Sequence, residues 1–136
     1  MANAAKTVLV IDDDVSFAYL TASILDCAEH RAVIATDGTE GVRMAREIIP
    51  ALVLCDLSMP GLGGVEVLRL LHDDPSTANI PRVLMSGYAC PSLRGVAADA
   101  FIAKPFKPEA LRRLVRAFTR PRKIQVVQTS LESSVG

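Results

Sequence analysis

Short, wholly apolar runs do most to restrict the folds open to this chain. Residues 8–11 and 52–55 carry only apolar side chains, which is typical of strands buried on both faces of a parallel sheet. Further apolar runs occur at 32–35, 83–85 and 100–103. Helical patterns separate the runs, so the sequence predicts βαβ units and a parallel sheet with right-handed crossovers.

Four full helices are expected from apolar side chains at helical spacing. The first runs from an N-cap at Ser16 to about residue 29, the second covers about 39–49, the third ends near His72, and the last begins near Pro108. The positions expected to face the core are Phe17, Leu20, Ile24 and Ala28; Val42, Ala45 and Ile49; Val65, Val67, Leu68, Leu70 and Leu71; and Leu111, Leu114, Val115 and Phe118.

Polar side chains follow four of the apolar runs and have the chemistry of a shared site. In chain order they are Asp12, Asp13 and Asp14, then Asp56, Ser86 and Lys104. Because the carboxyl ends of parallel strands meet at one edge of a sheet, we expect them to converge on one crevice. Clustered carboxylates repel each other, and Mg²⁺ relieves that repulsion. A single Asp after a strand is usually a solvated loop acid, but the whole set indicates a site for a metal ion and a phosphoryl group.

Length and composition indicate one domain in a reducing compartment. The chain has 136 residues, half of them hydrophobic, and a formal net charge of zero. Cys27 and Cys55 lie in apolar contexts, where reduced, buried thiols are common, and Cys90 lies in a predicted loop. We see no signal-peptide core at residues 1–6 and no apolar stretch of membrane-spanning length. The prediction is a soluble cytoplasmic protein with no membrane partner.

The motifs at the ends of the runs resemble those of the receiver domain of two-component response regulators. They are Ile-Asp-Asp-Asp at 11–14, Cys-Asp-Leu-Ser-Met-Pro-Gly at 55–61, Met-Ser-Gly at 85–87 and Lys-Pro-Phe at 104–106. The resemblance implies an α/β fold, a flavodoxin-like doubly wound five-stranded parallel sheet in the order 2-1-3-4-5. We predict a receiver domain at 1–120 and a flexible C-terminal tail at 121–136.

The resemblance also implies a role for each residue of the site. Asp56 is similar to the phosphoryl acceptor, a carboxylate nucleophile that forms an acyl phosphate. Asp13 is expected to bind Mg²⁺ directly and Asp12 directly or through water, with Asp56 and the backbone carbonyl of Ser58 as further ligands. Lys104 is expected to pair with Asp56 and then with a phosphoryl oxygen. The only catalysis implied is Mg²⁺-dependent self-phosphorylation and slow autodephosphorylation.

A second group of residues resembles the switch and tuning positions of the family. Ser86 is expected to move toward the phosphoryl group, and Phe101 to turn inward as it does so, although Phe101 also fits a plain core aromatic. Ser58 and Tyr88 are similar to side chains that line the route of hydrolytic water. The peptide before Pro105 is expected to be cis by the same resemblance.

Residues 88–99 and Asp14 depart from the family pattern. The family places a full fourth helix at 88–99, but here the stretch contains Pro91 and Gly95 and is about one helical turn short. We therefore expect a shortened fourth helix. Since that helix contributes to the usual dimer surface, we expect a monomer or weak dimer. Asp14 matches no essential family position and is interpreted as a solvated acid.

The leading hypothesis is a stand-alone receiver that takes a phosphoryl group from a sensor histidine kinase or a histidine phosphotransfer protein. It is expected to signal through an unknown downstream protein or by onward phosphotransfer. Met1 and the tail beyond Arg120 favour this reading over the receiver domain of a larger regulator or hybrid kinase.

Three other functions fit the sequence less well. A non-phosphorylated interaction module does not need the complete set of acids, hydroxyl and Lys. A phosphatase of the haloacid dehalogenase type would use the Asp-x-Asp spacing of Asp12 and Asp14, but it leaves Asp56 without a role. Nucleic-acid binding rests only on the charge of the last helix, so no specific nucleic-acid partner is expected. The bases of that helix are Arg112, Arg113, Arg116 and Arg120.

Overall fold

The computed structural model describes residues 4–27, 29–87 and 94–120, and it confirms the predicted sheet. Five strands pair in parallel in the order β2-β1-β3-β4-β5. They are β1 (Lys6–Ile11), β2 (His30–Ala35), β3 (Leu52–Asp56), β4 (Arg82–Ser86) and β5 (Ala100–Ala103). The chain moves outward from β1 to β2 and then returns to the other side of β1. This reversal opens a crevice at the carboxyl ends of β1 and β3.

Four helices cover the two faces of the sheet within the described part of the chain. Leu9 and Ile11 of β1 pack toward α2 and α3, whereas Val8 and Val10 pack toward α1 and α4. The apolar runs of the central strands β1, β3 and β4 are therefore buried on both faces, as predicted, whereas the edge strands β2 and β5 are only partly buried. No helix among these four is long and apolar enough to cross a membrane. The helices are α1 (Val15–Leu25), α2 (Gly38–Ile48), α3 (Gly64–Asp73) and α4 (Pro108–Thr119).

The structure corrects the predicted start and buried face of α1. Asp14, rather than Ser16, is the N-cap, because its Oδ1 accepts the Phe17 amide hydrogen at 3.1 Å. Leu20, predicted to face the core, is 53 % exposed. Apolar side chains surround most of this helix, so spacing alone does not select the face that packs. The residues that are buried are Ala18, Thr21 and Leu25.

Three further predictions of buried residues in α2 and α3 are wrong, while α4 agrees better. Ile49, predicted to be buried, is the C-cap of α2 in the left-handed conformation (φ 47°) and is exposed, because the chain turns there toward the next strand. Val65 and Leu70 lie on the solvent side of α3. In α4, Leu111 and Val115 are buried and their apolar neighbours pack beside them.

The connections differ from the sequence prediction in one respect and leave two predictions untested. Cys27 is exposed rather than buried, because α1 ends at Leu25 and the chain then turns outward to reach β2. Residues 94–99 contain a turn but no helix. The rest of the stretch predicted to hold a short helix, 88–93, and the predicted tail at 121–136 lie outside the described residues.

Candidate functional site

The carboxyl ends of the parallel strands, here called the carboxyl edge of the sheet, bring together acids that are far apart in the chain. The last residue of β1, Ile11, pairs with Cys55, so Asp12 and Asp56 lie side by side beyond that pair. One carboxylate oxygen from each of Asp12, Asp13 and Asp56 lies within 4.8 Å of the other two. Asp12 and Asp56 are buried, whereas Asp13 is exposed. The predicted cluster of carboxylates is therefore assembled at one crevice.

Lys104 connects the two buried acids. Its Nζ lies 2.8 Å from Asp12 Oδ2 and 2.9 Å from Asp56 Oδ1. The Lys104 backbone amide donates to the Ser86 carbonyl at 2.7 Å, which holds the end of β5 against the end of β4. The following peptide, Lys104–Pro105, is cis, as the resemblance implies. The side chain is thus directed into the crevice by both sheet pairing and charge.

Phe17, which sequence reasoning did not connect with the site, contacts Lys104 from the other side, and Phe106 of the Lys-Pro-Phe motif packs against Phe17. The Lys104 Nζ lies 4.3 Å from the centroid of the Phe17 ring, in the range of a cation–π interaction. Phe106 supports that ring in an edge-to-face contact with centroids 5.3 Å apart. Nothing in the local sequence distinguishes Phe17 from an ordinary core residue, so only the fold reveals this contact.

Backbone groups next to the acids complete the positioning. Asp14 not only caps α1 but also donates its amide hydrogen to Asp12 Oδ1 at 3.0 Å, which orients the Asp12 carboxylate. Gly64, the first residue of α3, passes so close to Asp56 that a Cβ there would lie 2.2 Å from the Asp56 carbonyl oxygen. The glycine therefore allows α3 to start directly against the strand end that carries Asp56.

The electrostatics of the crevice leave an excess of negative charge. Burial raises the pKa of Asp56, and the nearby charges of Asp12 and Asp13 act in the same direction, against the lowering effect of Lys104. Burial lowers the pKa of Lys104, but its bonds to the two acids outweigh this and leave that pKa raised. Three carboxylates face one ammonium, and oxygen ligands with surplus negative charge fit a hard divalent cation such as Mg²⁺.

The remaining predicted site residues occupy different surroundings. Ser86 is buried at the end of β4, in register with Ala103 of β5. Ser58 is exposed in the loop after β3. Phe101 is partly buried and packs on the side of the sheet covered by α2 and α3. Tyr88 lies outside the described residues.

Comparison with known proteins gives the same family as the motifs. A sequence profile of the response regulator receiver domain matches residues 8–116, and the chain therefore belongs to this family. The DNA-binding response regulator MtrA of Mycolicibacterium paratuberculosis is 36 % identical over 119 residues, covering 85 % of this chain and 52 % of MtrA. The chain thus spans about half the length of the curated relatives it matches.

Solved structures agree with the fold. The chemotaxis protein CheY4 of Vibrio cholerae superposes with a TM-score of 0.79 at 24 % identity, covering 85 % of this chain and 99 % of CheY4. The receiver domain of the sensor histidine kinase PA1611 of Pseudomonas aeruginosa gives 0.78 at 21 % identity, covering 87 % and 100 %. That structure has a magnesium ion coordinated in its active site cleft.

Proposed function

We propose that Asp56 accepts a phosphoryl group in a Mg²⁺-dependent reaction and that this modification is the signal the protein transmits. The observation that carries the proposal is the Lys104 ammonium, which contacts Asp12 and Asp56 at 2.8 and 2.9 Å beside a third carboxylate. A pure interaction module gains nothing from holding these charges together in a largely buried crevice, since desolvating them costs free energy.

In the proposed reaction an Asp56 carboxylate oxygen bonds to phosphorus while the bond from phosphorus to the donor's leaving group breaks. The electron pair of that bond stays with the leaving group. Bound Mg²⁺ would supply positive charge to the phosphoryl oxygens, and its proposed ligands are Asp12, Asp13, Asp56 and the Ser58 backbone carbonyl. Lys104 keeps its contact with Asp12 and exchanges Asp56 for a phosphoryl oxygen. Slow attack by water on phosphorus would restore the free carboxylate.

The proposed switch uses the pairing of β4 with β5. Ser86 pairs with Ala103, and Leu84 pairs with Phe101. If the Ser86 hydroxyl moves to donate a hydrogen bond to the phosphoryl group, the paired end of β5 moves with it. In the proposal, the partly buried Phe101 ring then turns inward, which changes the surface beside β5.

The proposed phosphodonor is a sensor histidine kinase or a histidine phosphotransfer protein, in the cytoplasm. A donor protein must cover the surface around the crevice in order to reach Asp56. The helix that starts directly after the acidic cluster exposes three large apolar side chains, Val15, Tyr19 and Leu20. We propose that this face of α1 contacts the donor, because exposed apolar residues grouped beside a reactive site favour protein binding.

Two forms of output remain as alternatives within this proposal. As a stand-alone receiver, the protein would signal through a downstream protein or pass its phosphoryl group on. As part of a longer regulator, it would control an attached domain; MtrA, a DNA-binding response regulator, is about twice as long as the matched region. That the protein has no specific nucleic-acid partner remains an untested prediction.

Intact mass after incubation with acetyl phosphate and Mg²⁺ tests the proposal. We expect one phosphoryl adduct on the wild type, none on Asp56→Asn, and none when Mg²⁺ is removed by chelation. Asp73→Asn is the matched control, because it makes the same chemical change at an exposed acid of α3 and should keep the adduct. An adduct that survives in Asp56→Asn, or that forms equally without Mg²⁺, would refute the proposed site.

A further inference from the structure

The amino edge of the sheet carries a second group of side chains with metal-ligating chemistry. Cys27, Glu29 and His30 lie where the chain leaves α1 and enters β2, at the opposite edge from the acidic cluster. One ligand atom from each of them lies within 4.8 Å of the other two. Cys27 and Glu29 are exposed, and His30 is only 7 % exposed. The Cys27 amide donates to the His30 carbonyl at 3.0 Å, which closes the turn.

The hydrogen bonds of His30 define which of its nitrogens can bind an ion. Its Nε2 lies 2.9 Å from Thr119 Oγ1. The Thr119 hydroxyl donates its single proton to the Val115 carbonyl at 2.9 Å, so it must accept from His30. Nε2 therefore carries the imidazole proton, and Nδ1 keeps a lone pair. A histidine whose far N–H donates to a fixed protein acceptor is the usual arrangement of a metal ligand.

Space and charge at this position fit a divalent ion. Cys27, Glu29 and His30 line an open cavity of about 160 Å³, and Arg112 and Arg116 also line it. A Cys thiolate and a Glu carboxylate contribute two negative charges, which balance those of a divalent cation. The neutral complex then adds no positive charge beside the two arginines.

We propose that Cys27, Glu29 and His30 form a binding site for a thiophilic divalent transition metal ion, foremost Zn²⁺, with Thr119 orienting His30. Sulfur and imidazole ligands select such an ion over Mg²⁺, which prefers the oxygen-only cluster at the other edge. Bonds of about 2.0–2.3 Å place tetrahedral ligand atoms roughly 3.5 Å apart, so a small closure of the three side chains suffices. Three protein ligands leave one position for water or an exchangeable ligand.

Metal binding at this site would act on the end of the last helix. Thr119 is the final residue of α4, and its carbonyl also accepts a hydrogen bond from the Lys6 ammonium. An ion on His30 would therefore hold the α1–β2 turn, the first strand and the end of α4 in one arrangement. Because the ion binds only the folded protein, it should raise the thermal stability.

Titration with Co²⁺ tests the site, because a thiolate bound to Co²⁺ gives a charge-transfer absorption that carboxylates cannot give. The protein used is the full chain with Cys90→Ser, which leaves two thiols, the exposed Cys27 and the buried Cys55. We expect one equivalent of Co²⁺ to produce the absorption and Zn²⁺ to displace it. Cys27→Ser should abolish the absorption. Glu29→Gln should weaken Co²⁺ binding by at least about 10-fold, because even the loss of a residue that only hydrogen-bonds a metal ligand typically costs that much affinity.

Asp13→Asn is the control for the acidic cluster and should leave the absorption unchanged, although it weakens Mg²⁺ binding. With excess Mg²⁺ present to occupy the acidic cluster, Zn²⁺ should also raise the melting temperature of the parent and of Asp13→Asn by more than that of Cys27→Ser. Because Cys27 and Glu29 are exposed, their substitution leaves the core intact. Absence of the charge-transfer band in the parent, or its persistence in Cys27→Ser, would overturn the proposal and leave the phosphorylation proposal unaffected.

Discussion

Two cations lie at opposite edges of the same sheet, and their partners differ. Lys104, at the carboxyl edge, is 16 % exposed and contacts two carboxylates. Arg82, at the amino edge, is 6 % exposed, and its guanidinium donates to the carbonyls of Ala97 at 2.8 Å and of Ala78 and Ile80 at 3.0 Å. Carbonyls are neutral and fixed in the backbone, whereas carboxylates can exchange one cation for another. Burial alone therefore does not distinguish the two cations; the chemistry of their partners does.

The largest effect is expected at the structural edge. Arg82→Met leaves three carbonyls without their donor, and we expect the free energy of unfolding to fall by about 3 kcal/mol. Urea denaturation measures this, with exposed Arg69→Met as the matched control that should change little. The folded fraction should still be phosphorylated at the wild-type rate. A slower reaction would mean that the two edges are coupled.

At the functional edge, Lys104→Met should mainly affect chemistry. Loss of one positioned charge on the phosphoryl oxygens should slow phosphorylation by acetyl phosphate about 100-fold. Mg²⁺ should bind more tightly, by roughly 5-fold for about 1 kcal/mol of lost repulsion between cations. Isothermal titration and time-resolved mass spectrometry measure the two quantities. Weaker Mg²⁺ binding in this variant would contradict the idea that the ammonium and the metal compete for the same carboxylates.

Phe17→Leu separates the positioning of Lys104 from its charge. The variant keeps an apolar residue but removes the aromatic face under the ammonium, an interaction of about 1 kcal/mol. We expect phosphorylation to slow by roughly 5-fold, with a similarly small loss of stability. With acetyl phosphate as the donor, Tyr19→Leu, an aromatic change on the exposed side of the same helix, should alter neither quantity. Equal effects of the two variants would show that the Phe17–Lys104 contact has no influence.

The smallest effect is expected for a solvent-accessible ion pair between α2 and α3 that belongs to neither candidate site. Asp74 accepts from the Ser76 amide and hydroxyl and from Arg46, and these bonds lower its pKa below 3.8. The stabilisation should be present above about pH 4 and be lost as the pH falls through the lowered pKa. Asp74→Asn should therefore be slightly less stable than the wild type at pH 7 and equal to it near pH 2. A stability difference between wild type and Asp74→Asn that grows toward low pH would contradict this prediction.

The residues at the carboxyl edge could be predicted from the sequence, because each is indicated by a short local motif. Each apolar run predicts a buried strand, and the polar residue after it lies at the strand end, so Asp12, Asp56 and Ser86 follow from three short motifs. The sheet order adds only which ends are neighbours. The fold and the acidic cluster therefore appear together in the sequence pattern.

The contacts at the amino edge could not be predicted from the sequence, because they are made with backbone carbonyls or between residues far apart in the chain. Nothing in the sequence around Arg82 indicates that its guanidinium donates to three backbone carbonyls. The bond from His30 to Thr119 joins residues 89 positions apart. The error at Leu20 has another cause: α1 is apolar on several sides, and the position of the sheet decides which side is buried.

The contacts of Thr119 have a consequence for how the protein folds during its synthesis. This residue at the end of α4 bonds to Lys6 in the first strand and to His30 in the second, so the last helix closes the edge that is synthesised first. On the ribosome, the face of the sheet around Val8 and Val10 stays covered by α1 alone until Leu111 and Val115 emerge. A nascent chain halted before Pro108 therefore exposes an apolar surface that chaperones can recognise.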